Sequence, residues 1–333
     1  MADLPDYFAP DSLLARHWQQ PLCDFAAPPA PAIEPVEAER HAIHAGLLMA
    51  IVAAWWNGNL RGSRDSDYPS RVHQRRADGT YLGDRLGDRY LGHNIAALAV
   101  DRTGRVRDVD FNHNTIYAST VQHAEARLIR RLFDIDALDQ SRRPRDEDVH
   151  VARTRLDGVT IFTSLESCAQ CSGIMALSCL PKVFYLQPDP SQYLVAQLMH
   201  RLSDAPAAQH VPASAFGFPA FDQLKAAYAH FQRELAEGGY FWRSTTDPQR
   251  IAREPEITAF LCTDAARDIY QQAADDFQRM SCRFPHARPG ADMAPASAAA
   301  AQDVLTNEEV LEDARQFLAY AATAARRGTP HFN

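Results

Sequence analysis

Apolar residues recur at three- and four-residue steps at Ile43, Leu47, Leu48, Ile51, Val52 and Trp55. That spacing predicts a helix from about Glu37 to Trp56, closed by Asn57-Gly58-Asn59. Its apolar arc is wide, as in a helix buried against a sheet. Ile95 to Val100 reads as a buried strand, Asp101-Arg102-Thr103-Gly104 as a turn and Val106 to Phe111 as an alternating return strand. HAEARLIRRLF, residues 123–133, reads as a helix with Leu128, Ile129, Leu132 and Phe133 inward and Arg127, Arg130 and Arg131 outward. Residues 134–157 are charged and loop-like. Val159 to Thr163 is a β-branched strand, Cys168 to about Cys179 a helix broken at Leu180-Pro181, Val183 to Leu186 a strand and Ser191 to Leu202 a helix. Helix, hairpin, helix, strand, helix, strand, helix predicts a three-layer α/β domain.

The flanking regions have a different texture. Residues 1–36 form a Pro/Ala-rich N-terminal arm, including Ala27-Pro28-Pro29-Ala30-Pro31. Residues 60–92 are irregular, with seven arginines, five aspartates and five glycines, and suit a lid or a solvated loop. Phe221, Leu224, Tyr228, Phe231 and Leu235 share one helix face, and Glu256 to Met280 carries a further helical pattern. Residues 285–301 read as a linker, and a last helix starts at Thr306 with Glu309 placed for a capping box. The expected organisation is an arm (1–36), a metal-bearing α/β domain (37–215), a helical extension (216–284), the linker (285–301) and a C-terminal helix (302–333).

Composition narrows the function. The 333 residues are 46% hydrophobic and 23% charged, ordinary for a soluble globular chain. A formal net charge of −8 argues against broad polyanion binding. The longest uncharged apolar run, Ala45 to Trp56, is too short to span a bilayer. Acids stand at the N-terminus where a secretory signal needs positive charge, and six cysteines are too sparse for a disulfide framework. A cytoplasmic, reducing compartment is expected, where a CxxC pair reads as metal ligands or redox thiols.

Two motifs carry chemistry: His123-Ala124-Glu125 at a helix start, and Ser164-Leu165-Glu166-Ser167-Cys168-Ala169-Gln170-Cys171 between a buried strand and the next helix. Cys168 and Cys171 are one helical turn apart and share a face, near a helix N-terminus that favours thiolates. His123 supplies a third ligand, giving the nitrogen and sulfur set zinc prefers with a fourth position open, the catalytic arrangement. Glu125 lies two positions from His123, which in a regular helix points the two apart. Both reach one site only if His123 stands at the helix entrance, before the backbone becomes regular. Glu125 then carries protons rather than binding metal.

The ordered set, HAE helix then buried strand then ExCxxC helix, resembles the zinc-dependent cytidine deaminase-like superfamily, of the cytidylate, guanine and tRNA adenosine deaminase type. The resemblance covers about residues 37–205 and implies a three-layer α/β/α cytidine deaminase-like domain with a mixed central sheet. It implies Zn²⁺ on His123, Cys168 and Cys171, Glu125 as the catalytic proton shuttle, and substrate contacts from Asn112, Asn114, Ser164 and Glu166. Ser167 stands where the family usually has proline. The implied reaction is hydrolytic deamination of an amino-substituted nucleobase in a free base, nucleoside or nucleotide, with release of ammonia. A nucleic-acid substrate (tRNA or single-stranded DNA or RNA) is the alternative within the enzyme class, and a non-catalytic zinc-braced interaction protein is the alternative outside it. The expected partners are a small molecule and further copies of the chain, with no membrane.

Overall fold

The computed structural model describes residues 32–56, 92–114, 119–142, 155–156, 158–192, 195–202, 208–237, 242–243, 251–252, 256–261, 263–289 and 304–323. Most of the arm and linker, nearly all of the 60–92 loop, Cys23, Cys262, Tyr240 and Phe241 lie outside the described residues.

A five-stranded mixed sheet organises the chain, in the order β2-β1-β3-β4-β5. β1 (Ala96–Asp101) pairs antiparallel with both β2 (Val106–Phe111) and β3 (Val159–Thr163). β3, β4 (Lys182–Tyr185) and β5 (Gln209–Pro212) run parallel. α1 (Pro35–Ala54) covers one face of the sheet. Phe162 and Phe184 rise from neighbouring strands to meet His41 of that helix. Alternate residues Ile161 and Val183 are buried too, so the strands are apolar on both faces, as in a sheet with helices on either side. α2 (Ala124–Arg142), α3 (Ala169–Leu177) and α4 (Val195–Leu202) pack successively side by side and complete the α/β/α layering.

β5 is a strand the sequence pattern does not predict. QHVP has no alternation, and His210 at its centre is a buried polar residue. α2 runs to Arg142, well into the segment expected as loop. Arg107 on β2 pairs with Asp136, and Arg130 with Asp134 one turn on. Arg127 and Arg131, expected outward, turn back onto β2, where Arg131 bridges Asp108 and Asp110 and Arg127 pairs with Asp110 at 3.3 Å. Asp189 Oδ1 accepts from Ser191 N and Oγ and holds a turn ahead of α4. Cys179 and Cys282 are half-buried.

The helical C-terminal half is built onto α1. A 3₁₀ turn (Ala213–Phe216) leads into α5 (Pro219–Ala236), followed by a small hairpin, β6 (Trp242–Arg243) with β7 (Ile251–Ala252). The Glu256–Met280 pattern splits into α6 (Ile257–Phe260) and α7 (Asp264–Arg279). Thr263 causes the break: its side chain caps α7 by accepting from Ala266 N at 3.2 Å. α7 lies along α1. α8 (Asn307–Thr323) also docks on α1, entered through the expected capping box: Thr306 N donates to Glu309 Oε2 (2.7 Å) and Glu309 N to Thr306 Oγ1 (3.3 Å). Arg40 of α1, fully buried, donates to Asn307 Oδ1 (3.2 Å) and to Leu305 O. Gly104, in the β1–β2 turn with φ +97°, completes this junction: a Cβ there would stand 2.9 Å from Val310 of α8 and 3.0 Å from Arg40. Among the described residues no helix is long and apolar enough to cross a membrane.

Candidate metal centre and pocket

The site forms where β2 hands over to α2 and where β3 hands over to α3. At the first junction Asn112, just past β2, accepts from Ala124 N at 2.7 Å through Oδ1. That bond caps α2 and fixes its start one residue after His123. His123 therefore stands outside the regular helix, and Glu125 lies in its first turn. Gln170 of α3 donates to Val121 O at 3.1 Å and ties the two junctions together.

At the second junction Cys168 is the N-cap of α3 and Cys171 lies in its first turn. His123 Nδ1 is 3.4 Å from Cys168 Sγ and 3.6 Å from Cys171 Sγ. The ligand atoms of the three residues all lie within 4.8 Å of one another, so His123, Cys168 and Cys171 can hold a metal ion, as the zinc deaminases do. Cys168 is drawn down to about 4 by the Cys171 thiol and by His123, while Cys171 is pushed up by its neighbour and by burial. His123 is raised in turn by its contact with Cys168.

Glu125 is buried and stands beside this trio without belonging to it. Its Oε1 accepts from Ser167 Oγ at 3.3 Å and shares the Thr163 hydroxyl, 3.3 Å away, with Leu165 O at 3.0 Å from that hydroxyl, and its Oε2 is 3.6 Å from Cys171 Sγ. Burial raises its pKa.

A cavity of about 390 Å³ opens beside the trio, lined by Asn112, Asn114, His123, Glu125, Glu166 and Cys168 among others. Asn114 Oδ1 is 3.4 Å from His93 N. Gly92 backs onto both asparagines: a Cβ there would stand 2.5 Å from Asn112 O and 2.3 Å from Asn114 Oδ1. Glu166 Oε2 accepts from Asp189 N at 3.0 Å, and burial pushes its pKa to about 7. Ser164 is placed apart from the cavity lining. Its Oγ accepts from Ala96 N at 3.0 Å and joins the end of β3 to the start of β1.

Sequence reasoning misses Thr163, Asp189 and the wall made by Glu256, Ile257 and Thr258 at the start of α6. Thr163 and Asp189 have a signal. β3 and β4 are parallel neighbours, and ligands bind in the crevice outside the carboxyl ends of such strands. The α6 wall has none, since it comes from more than 80 residues beyond the CxxC motif.

The chain matches no protein-family model and no curated protein. Among solved structures it is similar to one from a study of A-to-I editing by tRNA:A34 deaminases at the wobble position of transfer RNA. That similarity has a TM-score of 0.28 and 22% identity, and covers 36% of this chain and 82% of that one.

Proposed function

We propose that this protein is a zinc-dependent hydrolytic deaminase of an amino-substituted nucleobase carried in a free base, nucleoside or nucleotide. The observation that carries the reading is the buried Glu125 carboxylate, which borders both the three-ligand set and the cavity yet is held by two hydroxyls instead of joining the ligands. A structural zinc site needs four protein ligands, and a carboxylate of this placement has no use in one.

Zinc on His123, Cys168 and Cys171 supplies Lewis acidity, which brings the pKa of water down to about 7. Glu125 would take a proton from water as the oxygen adds to the ring carbon bearing the exocyclic amine. The same carboxyl would pass that proton to the adjacent ring nitrogen and then move the proton of the added hydroxyl to the exocyclic nitrogen, so that the C–N bond breaks, NH₃ leaves and the ring keeps a carbonyl. Thr163 and Ser167 fix Oε1 and thereby the orientation of Oε2. Asn112 commits Oδ1 to capping α2, so the group it presents to a ligand in the cavity is its amide NH₂.

Zinc analysis combined with ammonia release across cytosine, adenine and guanine compounds tests the reading. Glu125→Ala is expected to keep one zinc per chain and lose turnover by about 10²-fold or more. A Glu125→Ala protein as active as the parent, or a parent that holds no zinc, overturns it.

A further inference from the structure

The turn that follows β2 carries two asparagines, Asn112 and Asn114, and both line the cavity. A backbone donor orients each side-chain amide. Ala124 N donates to Asn112 Oδ1 at 2.7 Å, and His93 N to Asn114 Oδ1 at 3.4 Å. An N–H can be met only by the oxygen of an amide, so both NH₂ groups are turned the other way. Among the described residues neither Nδ2 has a hydrogen-bond partner, and neither is sealed from solvent. Asn112 is only 2% exposed, so the space open to its Nδ2 is the cavity itself.

Three backbone bonds hold this turn: Asn112 N to Ile95 O (3.0 Å), His113 N to Gln122 O (2.8 Å) and Ser119 N to Asn114 O (3.0 Å). Gly92 is fitted against it. A Cβ at Gly92 would meet Asn114 Oδ1 at 2.3 Å, Asn112 O at 2.5 Å and Asn112 C at 2.8 Å. The last two are backbone atoms, which cannot swing aside as the end of a side chain can. Gly92 lies outside the left-handed region, so the position demands space rather than conformational freedom.

We infer that Asn114 is a second amide donor to the ligand, beside Asn112, and that Gly92 is the positioning residue that admits it. The inference rests on the deaminase reading and narrows it. The substrate turns two hydrogen-bond acceptors toward this wall, from ring nitrogen or carbonyl or from sugar oxygen. Donors held ready in a pocket largely withdrawn from water reward a matching acceptor. A compound with an N–H at the same place sets donor against donor, so the pair discriminates as well as binds.

The probes are cytosine, adenine, guanine and their nucleosides. Calorimetry on the zinc-loaded full chain carrying Glu125→Ala gives affinity without turnover, and ammonia release with Glu125 intact gives kcat and KM. Asn114→Asp keeps an oxygen for His93 N and replaces the donor with an acceptor. It is expected to retain zinc and to weaken the best-bound probe by about tenfold or more. Nucleosides weakened with bases spared place the contact on the sugar; both weakened place it on the ring. Gly92→Ala is expected to retain zinc and to raise KM more than it lowers kcat. Because Gly92 acts through Asn114, the double variant is expected to cost no more than the larger single loss, whereas independent effects add. Unchanged binding in Asn114→Asp, additive losses in the double variant, or no binding of any probe overturns the inference. If Gly92→Ala does not fold, Asn114→Asp decides alone. Ammonia release from a parent whose binding ignores Asn114→Asp leaves the deaminase reading standing. Binding that both variants weaken, without ammonia from any probe, overturns the deaminase reading and leaves the donor pair standing.

Discussion

His123 and Glu125 serve one site because the chain changes character between them. The Asn112 cap sets the first helical residue at Ala124, so the histidine projects from irregular backbone and the glutamate from the first turn. Ser167 has a comparable local role. Its hydroxyl is one of two donors on Glu125 Oε1, a contact proline at that position could not make. Ser167→Ala is expected to leave zinc content unchanged and lower kcat by about three- to tenfold, the rate equivalent of one hydrogen bond. Unchanged kcat would show that Thr163 alone holds the carboxylate. The candidate ligands His123, Cys168 and Cys171 and the neighbouring Glu125 are legible in the sequence because each pair lies within one short segment that enters a helix, so local chain geometry keeps its side chains close. Thr163, Asp189 and Glu256 are not, because strand pairing and the docking of α6 bring them in from separate segments.

The elements divide in the same way. The β1–β2 hairpin, β3, α1 and the capping box of α8 are written in local periodicity and turn chemistry, and they form close to where those signals place them. β5 and the tail of α2 depend on neighbours. β5 is a strand because β4 offers it a parallel edge, and 134–142 is helical because Arg107 on β2 and the turn before it pair with its aspartates. The docking of α8 is likewise a tertiary matter concentrated in a few bonds. Asn307 accepts from Arg40 and donates to Val36 O (3.0 Å) and Glu39 Oε2 (2.8 Å), so it joins the start of α8 to two turns of α1. Asn307→Ala leaves the buried Arg40 short of an acceptor and is expected to destabilise the fold by about 1–3 kcal/mol, read as a lower urea midpoint. A midpoint equal to the parent's would mean that the Asn307 bonds contribute nothing to the docking of α8.

At the scale of the molecule, burial sets opposing responses to acid. His44 is held at about 3 and His210 at about 4, each mainly because its imidazole is removed from water, with His44 Nε2 on Gly104 O and His210 Nδ1 on Ala208 O. His41 is lowered too, although Glu37 beside it favours its charged form. Below the ordinary histidine value of about 6.5 the unfolded chain binds protons at these positions and the folded chain does not, so stability is lost as pH falls. Asp110 acts in the opposite sense. Burial pushes it to about 6 against the pull of Arg131 and Arg127, so the folded chain takes its proton first and gains stability as pH falls from about 6 toward 4. The net profile is a contest between the two, but the difference between parent and variant isolates one group. His210→Leu removes a histidine with about 2.5 pH units between its folded and unfolded values. On lowering pH from 7 to 4, the variant should lose about 3 kcal/mol less stability than the parent, whatever its stability at pH 7. Urea melts at half-unit steps measure that difference. Parallel profiles would mean that His210 titrates normally in the folded protein and that the sheet edge at β5 admits water.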